Sequence, residues 1–441
     1  MGFLLLGLNV ASVGPLLVAL TTQVGVPLAD GGALFSSRAT GYFCGSILTS
    51  LVDRWPAQGN RVIAVGLLLA GGLTAIVPLT QSLVAMCACL FFVGVSMGTL
   101  DTGANVMLLQ EFSARQLRAD SAMQTLHAAF AVGAFVSPLW MHYVSKSFGH
   151  AAAIWSMAAT FPVVAVALLA VLGTPTLRLK LDGDAVTNAD DDEEAQAAER
   201  TRQKRVQRLE LAVVAAGAIF LGLYVGCEVG AGGFVDVFAQ FVGFSDDESA
   251  VLNSGLWLTF ALARIAAIFV AAKLAPITIM VGSLSLGVSA LLVPLVFGTT
   301  RAPVWLGFLL FGAAMAPCFP TCFTYCDRVM SKGLSASRAA ALAVGAAAGE
   351  FAIPWTIGQV MASTDFGSLT WLLEVGMVLA TLAFVVVVLI SRVLHPGTRW
   401  GLPQSRERKS EPDADTDGTR NEGSVPLLEM ESQTDVPNSE E

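Results

Sequence analysis

Twelve long apolar stretches, six on each side of a charged interval, constrain this chain more than any other feature of its sequence. They fall near 3–24, 32–52, 61–81, 83–109, 121–144 and 151–173, then near 209–241, 249–271, 275–297, 303–326, 337–362 and 367–391, each bounded by charges or Pro/Gly breaks. About 20 apolar residues in a helix match the hydrocarbon thickness of a bilayer, and a lone segment in lipid must satisfy its own backbone groups. The expectation is an all-α integral membrane protein with twelve transmembrane helices, arranged as two six-helix pseudo-repeats. Composition agrees: 54% hydrophobic residues, 13% charged and a mean hydropathy of +0.67 exclude a soluble domain of this size.

The expected organisation is an N-terminal half over 1–173, a charged linker over 174–208, a C-terminal half over 209–394 and a disordered tail over 395–441. The linker carries Asp190 to Glu194 and then Arg200, Arg202, Lys204, Arg205 and Arg208, which reads as a solvated segment whose basic end rests on headgroups. The tail is rich in Ser, Asp, Glu, Pro and Asn and cannot bury a core. The acidic excess behind the net charge of −9 sits in these two segments, so it says nothing about a basic partner. Arg54, Arg61, Arg115, Arg118, Lys273, Arg328, Lys332 and Arg338 gather on one side of a twelve-span topology, against Lys146 and Arg301 on the other. That bias places both termini and the linker in the cytoplasm. The seven cysteines show no CxxC pairing, so neither a disulfide framework nor a metal site is expected; Cys318, Cys322 and Cys326 share a face, as small-residue packing or as a soft-metal or redox site. The apolar start after Met1 has no basic n-region and reads as a first membrane helix rather than a cleaved signal.

Inside the spans, polar groups cost about 2.5 to 3.5 kcal/mol for a charge at mid-bilayer on insertion scales, so each must face a neighbouring helix or a cavity. Arg38, Asp101, His127, Glu228, Arg264 and Glu350 are the deep ones. Asp101 and Asn105 are four apart and share a helix face, as do Tyr224 and Glu228, while Gln124 and His127 are three apart. Asn105, Gln124, His127, Tyr224, Glu228 and Trp355 are the candidate substrate-binding residues, with the mixture of donors and acceptors a sugar requires. Asp101, Glu228 and Glu350 are the candidates for taking up a coupling ion, Na⁺ or H⁺. Arg38 and Arg264 either lock a carboxylate permanently between helices or exchange it during a cycle, with Glu350, beside Pro354, a gate or a counter-ion for Arg264. Asp236 and Gln240 lie toward a span end, where hydration makes them cheap. Gly133 and Pro138 overlay Gly349 and Pro354 at a common offset of 216, a short internal repeat that fits a parallel duplication.

Five motifs then carry a family resemblance: GTLDTGAN at 98–105, MQTLHAAFAVGAFVSPL at 123–139, LYVGCEVGAGGF at 223–234, NSGLWLTFALARIAAIF at 253–269 and GEFAIPWTIG at 349–358. Together the chain resembles the sodium-dependent glucose transporter branch of the major facilitator superfamily, which is similar in turn to fucose–proton symporters. Ser50-Leu51-Val52-Asp53-Arg54 with Arg61 looks like the superfamily's signature loop, with Thr49 where glycine is usual; the resemblance gives Asp53 and Arg54 a gating role. In the symporters an acidic residue and an Asn four later mark the fourth helix, matched by Asp101 and Asn105, and a Gln and an Asn mark the fifth, matched by Gln124 with His127 in place of the Asn. The symporters' first-helix Asp has no counterpart, since Asn9 and Gly14-Pro15 occupy that helix.

The reading is a secondary active symporter of a monosaccharide such as glucose or fucose, working by alternating access on a Na⁺ or H⁺ gradient. A non-transporting sugar sensor, or a transporter of another solute such as a nucleoside, lipid or organic anion, are the alternatives. No nucleophile–base pair or phosphate loop suggests an enzyme. No cofactor, metal or nucleic-acid partner is expected; the partners are a small sugar and the lipid bilayer, around a monomer. The plasma membrane is the expected location, with the endolysosomal membrane as the alternative because Leu427-Leu428 follows Glu422.

Overall fold

The computed structural model describes residues 1–52, 59–114, 120–171, 193–331 and 333–398. Asp53, Arg54, Arg115, Arg118, Lys332, most of the linker, Leu427-Leu428 and nearly all of the tail lie outside the described residues.

The first span is broken. Helices α1 (Gly2–Val10) and α2 (Val13–Val24) meet at a 51° bend over Ala11 and Ser12. Pro15 lacks the N–H that would continue the ladder across the bend, and Ser12 Oγ donates instead to the Asn9 carbonyl at 2.8 Å. There follow α3 (Gly32–Val52), α4 (Gly59–Ile76), α5 (Leu83–Ala114), α6 (Asp120–Phe148), and α7 (His150–Ala158) with α8 (Thr160–Val171) as one interrupted span. The second set opens with α9 (Glu193–Phe241), then α10 (Asp246–Lys273), α11 (Pro276–Phe297), the interrupted pair α12 (Arg301–Met315) and α13 (Cys318–Val329), α14 (Ala336–Ser363) and α15 (Leu369–Leu394).

Among the described residues nine spans are long and apolar enough to cross a membrane, and the bent α1–α2 pair makes a tenth. Helices α3 and α4 fall short of that test yet pack on α5 within the same bundle. For α3 the reason is its polar side: Ser36, Arg38, Tyr42, Ser46 and Thr49 turn toward other helices rather than lipid. Residues 193–208, expected as linker, are instead the first turns of α9. Apart from Thr201 and Val206 they are Ala, Glu, Gln, Arg and Lys, strong helix formers, with no Gly or Pro before the apolar span.

Glycine contacts repeat the same pairing twice. A Cβ on Gly41 or Gly45 of α3 would lie 1.8 or 2.0 Å from carbonyl oxygens of α5, and one on Gly94 or Gly98 of α5 would lie 2.0 or 2.1 Å from those of α3. The equivalent pair in the second set, α10 with α12, closes on Gly312, 2.2 Å from the Leu256 carbonyl. Likewise α1 and α6 meet at Gly7 and Gly133 (1.9 and 2.0 Å), as α9 and α14 meet at Gly345 and Gly349 (2.3 and 1.7 Å). Only glycine permits such backbone approach. Gly133 and Gly349, aligned by the 216-residue offset, therefore do one job: each seats the fifth helix of a six-span set on the first.

Candidate functional site

Close approach of α3 and α5 carries the first wall of the site. It lets Tyr42, one turn beyond Arg38, donate its hydroxyl to Asp101 of α5. Asn105 Nδ2 donates to Asp101 Oδ1 at 3.1 Å, and Asn105 Oδ1 sits 3.1 Å from His127 Nε2 of α6. His127 acts there as donor, which fixes its proton on Nε2. The result is a chain Tyr42–Asp101–Asn105–His127 across three helices, buried from Asp101 onward: Asp101 is 3% exposed, Asn105 2% and His127 6%. Phe3 and Phe319 hold the imidazole from two sides, each with its ring centroid 5.1 Å away.

The second wall comes from α9 and α10. Tyr224 donates to Glu228 and also lies 2.9 Å from the Met315 carbonyl, at the break between α12 and α13. Arg264, 1% exposed, leaves Nε and Nη1 without a hydrogen-bond partner and stands 4.7 Å from the Phe260 ring centroid. A cation–π contact offsets part of its desolvation. Two guanidinium donors still have nothing to bind, an expensive state for buried polar atoms.

Between the walls Arg38 binds Glu350 of α14 through Nη2 at 2.8 Å and Nε at 3.2 Å. Its Nη1 reaches the Asn9 and Val10 carbonyls at 3.2 and 3.1 Å, at the break in the first span. One guanidinium thus satisfies a carboxylate and a helix end at once. Glu350 is the counter-ion of Arg38, not of Arg264 as expected, because α3 and α14 pack together and bring those two groups into contact.

Between these walls lies a cavity, lined on the polar side by Tyr42, Asp101, His127, Glu228, Arg264 and Glu350 and on the apolar side by Leu6, Phe130, Val225 and Phe319 among others. The other expected residues stand apart from its surface. Asn105 and Tyr224 brace the carboxylates from behind. Gln124 turns to Thr321 of α13, 3.3 Å away, and leaves Oε1 unpartnered. Trp355 lies outside the cavity, 41% exposed, with its backbone against Gly32. Sequence reasoning missed Tyr42, although its spacing from Arg38 put both on one face of α3, and missed Phe130 and Phe319, which nothing distinguishes from packing aromatics.

At one end of the bundle α6 and α10 are tied where His142 Nε2 and Lys146 Nζ meet Asp247 Oδ1 at 2.8 and 2.6 Å. At the opposite, linker end, Glu210 of α9 binds Arg338 at 2.8 Å and accepts from Ser331 Oγ and N at 2.6 and 2.9 Å.

The sequence profile of the Major Facilitator Superfamily matches residues 1–354. The chain belongs to the major facilitator superfamily. Within the superfamily it is similar to sodium-dependent glucose transporter 1 of Homo sapiens, 30% identical over 81% of this chain and 71% of that one. It is also similar to sodium-dependent glucose transporter 1 of Xenopus laevis, 26% identical over 96% and 89%. The branch expected from the five motifs is borne out. Among solved structures a D-xylose–proton symporter superposes with a TM-score of 0.69 at 15% identity, over 91% of this chain and 96% of that one. A human organic anion transporter does so at 0.58 and 18%, over 88% and 97%; at such identities the superfamily's fold is what they share. The protein is an integral membrane transporter, not an enzyme.

Proposed function

We propose that this protein carries a monosaccharide such as glucose or fucose across the membrane by alternating access, driven by a Na⁺ or H⁺ gradient. The observation that carries this reading is the pairing of walls. A hydrogen-bonded carboxylate chain on one side faces unpartnered guanidinium donors and a second carboxylate on the other, with aromatic rings between them. A hexose offers hydroxyl oxygens to Arg264, hydroxyl protons to Glu228 and Asp101, and an apolar ring face to Phe130 and Phe319. The relatives' names, which describe sodium-dependent glucose transport, support the same substrate class.

In this reading residues 1–173 and 209–394 are the two moving halves, which rock about the cavity while the 174–208 segment joins them. Asp101 takes up the coupling ion, with Glu228 and Glu350 as further coupling carboxylates, and its bonds to Tyr42 and Asn105 transmit occupancy to His127. The Arg38–Glu350 pair joins the halves in the state described and parts in the other. The linker end is cytoplasmic, as are both termini; the membrane is the plasma membrane, and the unit is a monomer. Uptake of labelled hexoses into transporter-deficient cells tests the assignment, with Asp101→Asn as control. Surface expression without uptake of any hexose would sink it, and hexose binding without flux would make the protein a sensor.

A further inference from the structure

Among the described residues, half of the buried side-chain atoms without a hydrogen-bond partner belong to one helix. Asn253 Oδ1, Ser254 Oγ, Trp257 Nε1 and Arg264 Nε and Nη1, five of ten, lie on α10. At about 100° per residue these four side chains fall within one arc of its surface. Asn253 still uses its nitrogen, which donates to Asp236 of α9 at 2.5 Å and to the Gly232 carbonyl at 3.1 Å. Asp236, expected to be hydrated at a span end, is buried there. Buried polar atoms without partners are few in a folded protein, and each calls for a cause. Arg264 has one in the cavity that it lines, but neither Ser254 nor Trp257 lines that cavity.

Their place on α10 supplies the cause. This helix runs antiparallel to α6: Asp247 meets His142 and Lys146 at the end away from the linker, the outer end in the orientation proposed above, and Ser121 donates to the Ile268 carbonyl at 3.0 Å toward the other. Trp257 lies between, about 15 Å inward of Asp247 and about 10 Å outward of Arg264 at the helical rise. Its ring meets Phe130 of α6 with centroids 6.4 Å apart and Phe260 at 5.3 Å. Phe130 lines the cavity, and Phe260 carries the Arg264 guanidinium. Gly232 of α9 gives the indole its seat, since a Cβ there would lie 2.5 Å from the ring. Trp257 therefore covers the cavity on its outer side, at the seam between the halves. When the halves part at their outer ends, the row Ser254, Trp257 and Arg264 faces the path by which a solute arrives.

We propose that Trp257 and Ser254 form an outer subsite, which a sugar occupies before it reaches the cavity. The apolar face of a pyranose ring stacks on the indole, one sugar hydroxyl accepts from the indole N–H, and another bonds to Ser254 Oγ. The inference rests on the sugar reading and deepens it, because recognition then begins about two helical turns outside Arg264. The unpartnered atoms are what remains when the halves close over the emptied subsite.

The test places a thiol in the subsite. Ser254→Cys is made in the full-length protein in transporter-deficient cells, and labelling by a membrane-impermeant methanethiosulfonate added outside is counted against the parent. Glucose and fucose are the probes. The expected result is external labelling that saturating sugar slows tenfold or more. Protection persists when Arg264→Leu is added, although uptake falls, and needs at least tenfold more sugar when Trp257→Phe is added. Double variants are taken as folded where their surface amount and their labelling rate without sugar match Ser254→Cys alone; where Trp257→Phe fails that check, the Arg264→Leu arm decides. No external labelling, labelling that sugar leaves unchanged in protein that takes up hexose, or protection that is lost with Arg264→Leu or undiminished with Trp257→Phe would overturn the proposal. Absence of uptake of any hexose by the parent would overturn the sugar reading, and this subsite with it.

Discussion

The two walls of the cavity are built alike and finished differently. Each draws on helices that glycine contacts close on a neighbour, and each pairs a carboxylate with a tyrosine, Asp101 with Tyr42 and Glu228 with Tyr224. On the first wall every polar side chain is engaged in a chain that ends at His127. On the second, Arg264 holds two donors with nothing to bind. The difference teaches that a duplicated scaffold has divided its labour: a satisfied network stores a defined charge and proton arrangement, whereas an unsatisfied one keeps free energy available for a ligand.

The strongest way to break the comparison is Asp101→Asn. If the first wall couples the ion, this variant loses accumulation against a gradient entirely and keeps sugar exchange between the two sides, read as counterflow in proteoliposomes. Next comes the lock between the walls. Glu350→Gln leaves Arg38 buried without its counter-charge and is expected to cost about 3 to 5 kcal/mol, measured as a fall in thermal stability in detergent; Arg38→Gln with Glu350→Gln together should cost less than the sum of the two. Arg264→Leu tests the open wall. It removes donors that bind nothing in the empty protein, so stability holds or rises, while hexose affinity falls about 10- to 100-fold, the worth of a charged hydrogen bond of 1.5 to 3 kcal/mol. A fall in stability instead would mean that Arg264 is structural. The smallest effect belongs to Tyr42→Phe, which removes one hydrogen bond of the satisfied chain and should lower stability by about 1 kcal/mol with a modest loss of coupled uptake.

Much of this arrangement was legible in the sequence, for physical reasons. A carboxylate in an apolar run is costly wherever the run folds, so Asp101, Glu228 and Glu350 announced themselves, and the spacing of Asp101 with Asn105 and of Tyr224 with Glu228 fixed shared helix faces. What could not be read was which helices meet. Periodicity alone gave no reason to pair Arg38 with Glu350, 312 residues away, nor to bring Tyr42 to Asp101; the first follows from the packing of α3 on α14 and the second from the glycine contacts of α3 with α5. The same blindness misplaced Trp355 and Asp236. Trp355 shares the motif of Glu350 but turns out of the cavity, and Asp236 lies near a helix end yet is covered by α10. The helical start of α9 was missed because a charged composition suggested a solvated linker, although its residue types favour helix.

Sugar accumulation in proteoliposomes under an imposed Na⁺ or pH gradient tests the central claim most directly, with ionophore as the control. The account predicts that labelled glucose or fucose accumulates while the gradient lasts, that ionophore collapses it, and that Asp101→Asn abolishes accumulation but not exchange. Equal accumulation by Asp101→Asn, or no gradient-driven uptake of any hexose by folded protein, would contradict it.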